Sequence, residues 1–189
     1  MYSFEEDVGS ILLRAGRVGI PVEDMVRRGL LVIRRVEPLR YTPRSFAEMV
    51  IQEVRERDTL CVVVDSVSGY RLLVAGGNLE EGLYALGKYL AGLGRMVIFV
   101  NEVESITGSF QVTGRNLSYL ADNIIFLQYL EVNGELRKTI GVLKKRVGDF
   151  EKTLREFEVT GEGIRIGKPL VGFRGVLEGI PSWVHEKTE

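Results

Sequence analysis

Two continuous apolar runs of strand length, Leu60–Val64 and Met96–Val100, constrain the fold more than anything else in the chain. Neither alternates between apolar and polar residues, so each reads as a strand covered on both faces, the habit of a parallel sheet. Between them Leu79, Leu83, Leu86 and Leu90 recur at helical spacing, behind a loop of small residues, Ala75, Gly76, Gly77 and Asn78. Strand, helix and strand joined by short links predict a parallel crossover.

The flanking segments extend this pattern. Val8, Ile11, Leu12, Ala15 and Val18 predict a helix over Asp7 to Arg17 with Asp7 as cap, and Pro21 opens a short helix ending near Gly29. The β-branched run Leu30–Val36 reads as a further strand. Thr42 before Pro43, and Ser45 three residues before Glu48, are overlapping start signals for a helix ending near Arg57. Beyond residue 122, Ile124–Val132 and Glu135–Leu143 are strand-length arms joined by Asn133-Gly134, a strong hairpin signal. Strand-like runs follow at Thr153–Val159 and Ile164–Ile166, and Pro169–Glu189, with Trp183 and His185, reads as a loosely structured tail. The predicted class is α/β, a mostly parallel sheet flanked by helices followed by a C-terminal antiparallel hairpin.

Composition narrows the function. A length of 189 residues with 45% apolar residues suits one domain, and apolar stretches of about five residues argue against a membrane span. A single cysteine, Cys61, excludes an internal disulfide framework; MYSFEED lacks the regions of a signal peptide, so the expected location is cytoplasmic. The net charge of −1 gives no global footprint for nucleic acid, so nucleic acid is a disfavoured partner and no membrane is expected.

In open α/β sheets ligands bind at the carboxyl ends of strands, which directs attention to Glu5-Glu6, Asp65-Ser66 and Asn101-Glu102. An apolar strand ending in aspartate is the Walker B pattern, which places a carboxylate to hold magnesium beside nucleotide phosphates. The alternative is a turn that merely favours aspartate. Glu5 and Glu6 have the chemistry to polarise an attacking water, or form a solvated helix-start cluster with Asp7. On the second hairpin arm Leu136, Lys138, Ile140, Val142, Lys144 and Arg146 share one parity, so a persisting strand projects Lys144 and Arg146 from one face. They read as a phosphate-facing finger or as two solvated cations.

These residues carry a resemblance. SFEE from Ser3, CVVVDSVSGY from Cys61, VIFVNEV from Val97, LADNIIFLQYLEVNGELRKTIGVLKKR from Leu120 and EFEVTGEGIRI from Glu156 together resemble KaiC-type ATPases of the RecA-like P-loop superfamily, in order and with family-like spacing. FRGVLEGIP from Phe173 is similar to a common ending of such proteins. The resemblance implies that Glu5 and Glu6 are the paired catalytic glutamates, that Asp65 holds Mg²⁺ with Ser66 beside it, and that Asn101 and Glu102 lie on a sensor strand facing the γ-phosphate. Lys144 and Arg146 match a Lys-x-Arg pair that reaches nucleotide on the neighbouring subunit. Val147 stands where the family often has glycine, and Phe150 replaces a histidine of the clock proteins.

The family's Gly-rich loop with Lys-Ser/Thr should precede SFEE and does not occur in these 189 residues. The near match Gly82-Leu-Tyr-Ala-Leu-Gly87-Lys88-Tyr89 has tyrosine where a short magnesium-binding hydroxyl belongs, and it falls inside a predicted helix. The expectation is therefore residues 1–168 as a KaiC/RecA-like core without its P-loop strand and helix, residues 169–189 as a tail, and a fragment of a longer protein as the simplest explanation. ATP and Mg²⁺ are the implied ligands, with poor hydrolysis by this chain alone. The implied partners are further copies, with a hexameric ring as one arrangement, or a complete ATPase. The implied role is regulatory or signalling. The alternative is a non-enzymatic, P-loop-less module that contributes Lys144 and Arg146 to a complete partner. DNA binding is least favoured, and no segment matches an autokinase site.

Overall fold

The computed structural model describes residues 1–74, 79–102, 121–132, 134–171, 173–174 and 182–183. The chain forms two compact units, Met1–Glu102 and Val103–Glu189.

In the first unit a parallel sheet runs in the order β2 (Arg34–Arg35), β1 (Tyr2–Ser3), β3 (Cys61–Asp65), β4 (Met96–Val100). Helix α1 (Val8–Arg17) starts where expected: the Ser10 backbone N–H donates to the Asp7 carboxylate at 3.0 Å, satisfying an amide that the helix start leaves unpaired. Helix α2 (Val22–Arg27) follows. The expected strand Leu30–Val36 shortens to β2 because Leu30 and Leu31 both donate their N–H to the Met25 carbonyl, completing the α2 terminus instead of joining the sheet. A single 3₁₀ turn covers Pro38–Arg40.

Helix α3 (Pro43–Glu56) opens with a reciprocal box between Thr42 and Ser45, so Ser45 is the partner of the Thr42 cap; Glu48, expected to complete the box, instead pairs with Arg44 at 2.9 Å. Helix α4 (Val67–Arg71), absent from the sequence-based expectation, is capped by Ser66. Helix α5 (Leu79–Gly92) contains the whole Gly82–Tyr89 near match, away from any strand-to-helix turn. A side chain at Gly82 would fall 2.6 Å from the Tyr70 hydroxyl and one at Gly87 3.3 Å from the Phe99 ring, so both glycines serve helix packing.

The unit's interior is aromatic. Phe46 of α3 sits at 5.5 to 5.6 Å, ring to ring, from Tyr2, Phe4 and Tyr70, in edge-on or tilted arrangements that suit the ring quadrupoles. β3 buries Val62 and Val64 completely. β4 departs from expectation, because Met96, Ile98 and Val100 on one side are exposed while Val97 and Phe99 on the other are half-buried. It is the last strand of this sheet, with no further described strand beside it.

In the second unit β5 (Asn123–Val132), β6 (Glu135–Lys145), β7 (Arg155–Thr160) and β8 (Gly163–Pro169) form an antiparallel sheet in chain order. The β5–β6 hairpin turns at Gly134, whose φ of +82° is the left-handed conformation expected of an Asn-Gly turn; Asn133 lies outside the described residues. Phe126, Leu130 and Val132 bury one face, with Leu154 and Leu170 packed against Leu130 and Val132. Part of the expected loose tail is ordered as a short antiparallel pair, β9 (Phe173–Arg174) and β10 (Ser182–Trp183); His185 lies outside the described residues.

Candidate active site

The register of the parallel sheet assembles the site. Ser3 pairs with Asp65 and Asp65 with Val100, so Phe4-Glu5-Glu6, Asp65-Ser66 and Asn101-Glu102 all leave the sheet at one edge, the carboxyl ends of adjacent strands. That edge is where a parallel α/β sheet presents ligand-binding groups. The Phe4 N–H donates to the Asp65 carbonyl at 2.8 Å, which carries the β1–β3 pairing up to the glutamates.

The glutamates are held by their backbone and by their carboxylates separately. The Ser3 hydroxyl, itself buried, donates to the Glu6 carbonyl at 2.9 Å and accepts from the Glu6 N–H at 3.2 Å, closing the turn that carries both residues. Glu5 accepts the Ser66 hydroxyl proton at 2.7 Å, joining the end of β1 to the start of α4. Glu6 pairs with Arg14 of α1 at 2.6 Å. Asp7 is separate from this arrangement: it caps α1, and its bonds from Ser10 hold its carboxyl below the usual range. Glu5 and Glu6 lie immediately before the cap rather than in the first helical turn.

Asp65 is partly buried, and desolvation pushes its carboxyl above the ordinary aspartate value. The neighbouring charges of Glu5 and then Glu6 push it further, while Arg14 opposes them. The Asp65–Ser66 peptide is cis. Ser66 is buried and its hydroxyl also accepts the Gly69 N–H at 3.2 Å, so one side chain caps α4 and orients Glu5. Gly69 permits this arrangement, since a Cβ there would lie 2.3 Å from the Phe4 Cβ.

Arg14, Ser3 and Gly69 are the residues sequence reasoning passed over. Only Gly69 left a signal, as the third residue after a capping serine; Ser3 and Arg14 act through pairings that the sequence does not display.

Among the described residues no group of His, Cys, Asp and Glu forms a metal cage by itself. Mg²⁺ that arrives with a nucleotide keeps several waters and takes one or two carboxylates plus phosphate oxygens, and Asp65 at the end of β3 is a carboxylate of that kind. Asp65 would hold it, directly or through water, and bound Mg²⁺ supplies neutralisation of developing phosphate charge.

Lys144 and Arg146 belong to the second unit. The hairpin register shifts at Ile124/Ile125, whose partners are Lys144 and Val142, leaving Leu143 as an extra residue on β6. Ile124 and Ile125 point to opposite faces, so Lys144 does not share the face of Val142 as strand parity predicted. The strand ends at Lys145, and Arg146 closes the hairpin by donating its N–H to the Asp122 carbonyl at 2.8 Å and pairing with the Asp122 carboxylate at 3.0 Å.

A parallel sheet flanked by helices, followed by a separate antiparallel sheet, is the arrangement of a RecA-like α/β fold. The family model described as "ATPase: KaiC" matches residues 1–171, and the chain belongs to that family. It is 27% identical over 191 residues to the circadian clock oscillator protein KaiC of Thermostichus vulcanus, covering all of this chain and 37% of that protein. It is 28% identical over 186 residues to KaiC of Prochlorococcus marinus, covering 96% of this chain and 36% of that protein. KaiC of Synechococcus elongatus is 26% identical over 191 residues, again with 37% of its length covered. The chain therefore spans little more than a third of these relatives. Among the described residues no helix is long and apolar enough to cross a membrane.

Proposed function

We propose that this chain supplies the hydrolytic edge of a KaiC-type, Mg²⁺-dependent ATPase site in a regulatory oligomer. The supporting observation is the convergence of Glu5, Glu6, Asp65 and Ser66 at one sheet edge, with Glu5 bonded to Ser66. In the reaction a glutamate carboxylate takes a proton from water as the water oxygen bonds to the γ-phosphorus. The bond from that phosphorus to the β–γ bridging oxygen breaks, its electron pair leaves with ADP, and inorganic phosphate is released. Asp65 positions Mg²⁺, Asn101 and Glu102 face the γ-phosphate, and Lys144 and Arg146 counter charge on nucleotide held by an adjacent subunit.

The phosphate-cradling loop comes from another stretch of polypeptide. β4 supports this: Met96–Val100 has no charge, proline or bulge, as in a strand flanked on both sides, yet among the described residues it ends its sheet, with apolar side chains exposed. Calorimetric titration with MgATP tests the reading on the 189-residue chain, on a longer product of its source gene, and on the chain mixed with a loop-bearing KaiC domain. Binding only by the longer product places the loop in the same polypeptide. Binding only in the mixture favours a second reading, a module that completes a partner's site; the position of the Gly82–Tyr89 match inside α5 agrees with both. Micromolar binding by the short chain alone would refute the need for any added loop.

A further inference from the structure

The tandem Glu5-Glu6 offers two carboxylates where a reaction with one attacking water needs a single base. The structure gives them different partners. Glu5 accepts from Ser66, a buried hydroxyl anchored at the start of α4 and adjacent in sequence to Asp65. Glu6 accepts from Arg14, two turns into α1. Helical side chains lean toward the helix N-terminus, so Arg14 reaches back over the start of α1 to a residue that precedes the cap. Because Ser3 fixes the Glu6 backbone at both its N–H and its carbonyl, Arg14 sets the direction of the one remaining movable part, the carboxylate.

We propose that Arg14 is a positioning residue that draws Glu6 toward α1 and so leaves Glu5, oriented by Ser66, as the carboxylate that takes the proton from water. This rests on the ATP-hydrolysis reading above. Arg14 is about two-thirds exposed, so its bond contributes little to stability and its value lies in orientation. With Arg14 removed, Glu6 is a second ionised carboxylate free to turn toward Asp65 and Glu5, where it competes for the water and repels the γ-phosphate.

The test compares kcat and KM for MgATP in the native assembly carrying Glu5→Gln, Glu6→Gln, Arg14→Met or Arg14→Lys. The expected pattern is a kcat loss of at least about 100-fold for Glu5→Gln. Arg14→Met should lower kcat only about fivefold with KM little changed, the size of effect an exposed ion pair carries, and Glu6→Gln, which also removes the competing carboxylate, should lower it less. Lysine keeps the charge at nearly the same reach, so Arg14→Lys should recover most of the Arg14→Met loss. In the nucleotide-free 189-residue chain, unfolding cycles should couple Arg14 to Glu6 by about twofold in the folded-to-unfolded ratio and show no coupling of Arg14 to Glu5. A Glu6→Gln loss as large as that of Glu5→Gln overturns the proposal, as does a silent Arg14→Met or a coupling to Glu5 instead. If Glu5→Gln and Asp65→Asn both hydrolyse ATP at the parent rate, the hydrolytic reading itself has failed and the assignment of Arg14 falls with it.

Discussion

The first unit brings Tyr2, Phe4, Phe46 and Tyr70 into ring contact and buries Val62 and Val64 completely, and the candidate carboxylates Glu5, Glu6 and Asp65 lie at the ends of short strands that flank that interior. The second unit has longer strands but closes only one side. β5 buries Phe126, Leu130 and Val132, while the alternate residues Ile125, Leu127 and Tyr129 are 65%, 62% and 57% exposed. The register carries the open face across the sheet: Leu127 pairs with Ile140, Ile140 with Arg155, and two residues along β7 Phe157 pairs with Ile166. The end of β3 is packed against the interior, whereas one face of β5 is exposed.

The most severe way to break this contrast is Phe46→Ala. Phe46 is fully buried at the centre of the aromatic group, so its truncation should cost about 3–5 kcal/mol of stability, read by urea unfolding. A loss under about 1 kcal/mol would mean the first unit is not organised around this ring.

Two glycines sharpen the same comparison at smaller scale. Gly69→Ala forces a Cβ to 2.3 Å from the Phe4 Cβ, an atom fixed to the backbone, and should cost about 1–3 kcal/mol by overpacking. Gly141→Ala meets the Phe126 ring edge and a Leu154 methyl at 2.6 Å, atoms at the far ends of side chains rather than ones fixed to the backbone. Its cost should stay within about 1 kcal/mol, because alanine also restricts the unfolded chain. Equal losses from the two substitutions would remove the distinction between a rigid and an adjustable interior.

What the sequence displayed, and what it hid, follows the same division. Local patterns were legible: the Asp7 and Thr42 caps, the apolar runs ending at Asp65 and Asn101, and the Asn-Gly hairpin all depend on residues a few places apart. The convergence of Glu5 with Asp65 needed the family resemblance, because parallel pairing of Ser3 with Asp65 joins segments with three α-helices and a strand between them. The Arg14–Glu6 pair stayed hidden because a lone arginine on a helix names no partner, and the extra residue at Leu143 because a bulge changes face without changing composition. The exposure of β4 was also invisible, since an apolar strand reads the same whether or not its neighbours are present.

Asp65→Asn examines the functional edge itself. Burial, and then the charges of Glu5 and Glu6, raise the Asp65 carboxyl in the folded state, so the fold binds that proton more tightly than the unfolded chain does. Stability therefore falls as pH rises from the ordinary value of 3.8 through the raised folded value, and the cost of the ionised carboxylate is fully present above it. Asparagine should stabilise the nucleotide-free chain slightly at pH 7 and make no difference well below pH 3.8. Destabilisation by asparagine at pH 7 would show Asp65 to be a structural residue there rather than one held in a strained state for a ligand.

The smallest effect is expected at the open face of the second unit, where Leu127→Lys tests whether that face is open in the isolated chain. With 62% of Leu127 exposed and its cross-strand partner Ile140 half-buried, a lysine has space to extend into water from its aliphatic stem. The change in unfolding free energy should lie within about 0.5 kcal/mol, as at other surface positions. A charge placed there should also lower any concentration-dependent association, which sedimentation velocity would read as a shift toward the monomer. A loss of about 2 kcal/mol or more would instead mean that polypeptide covers Leu127 in solution, because burying an ammonium without a partner carries a penalty of that size or larger. The two sheets would then resemble each other in burying both faces, and the contrast between a closed site and an open surface would have to be abandoned.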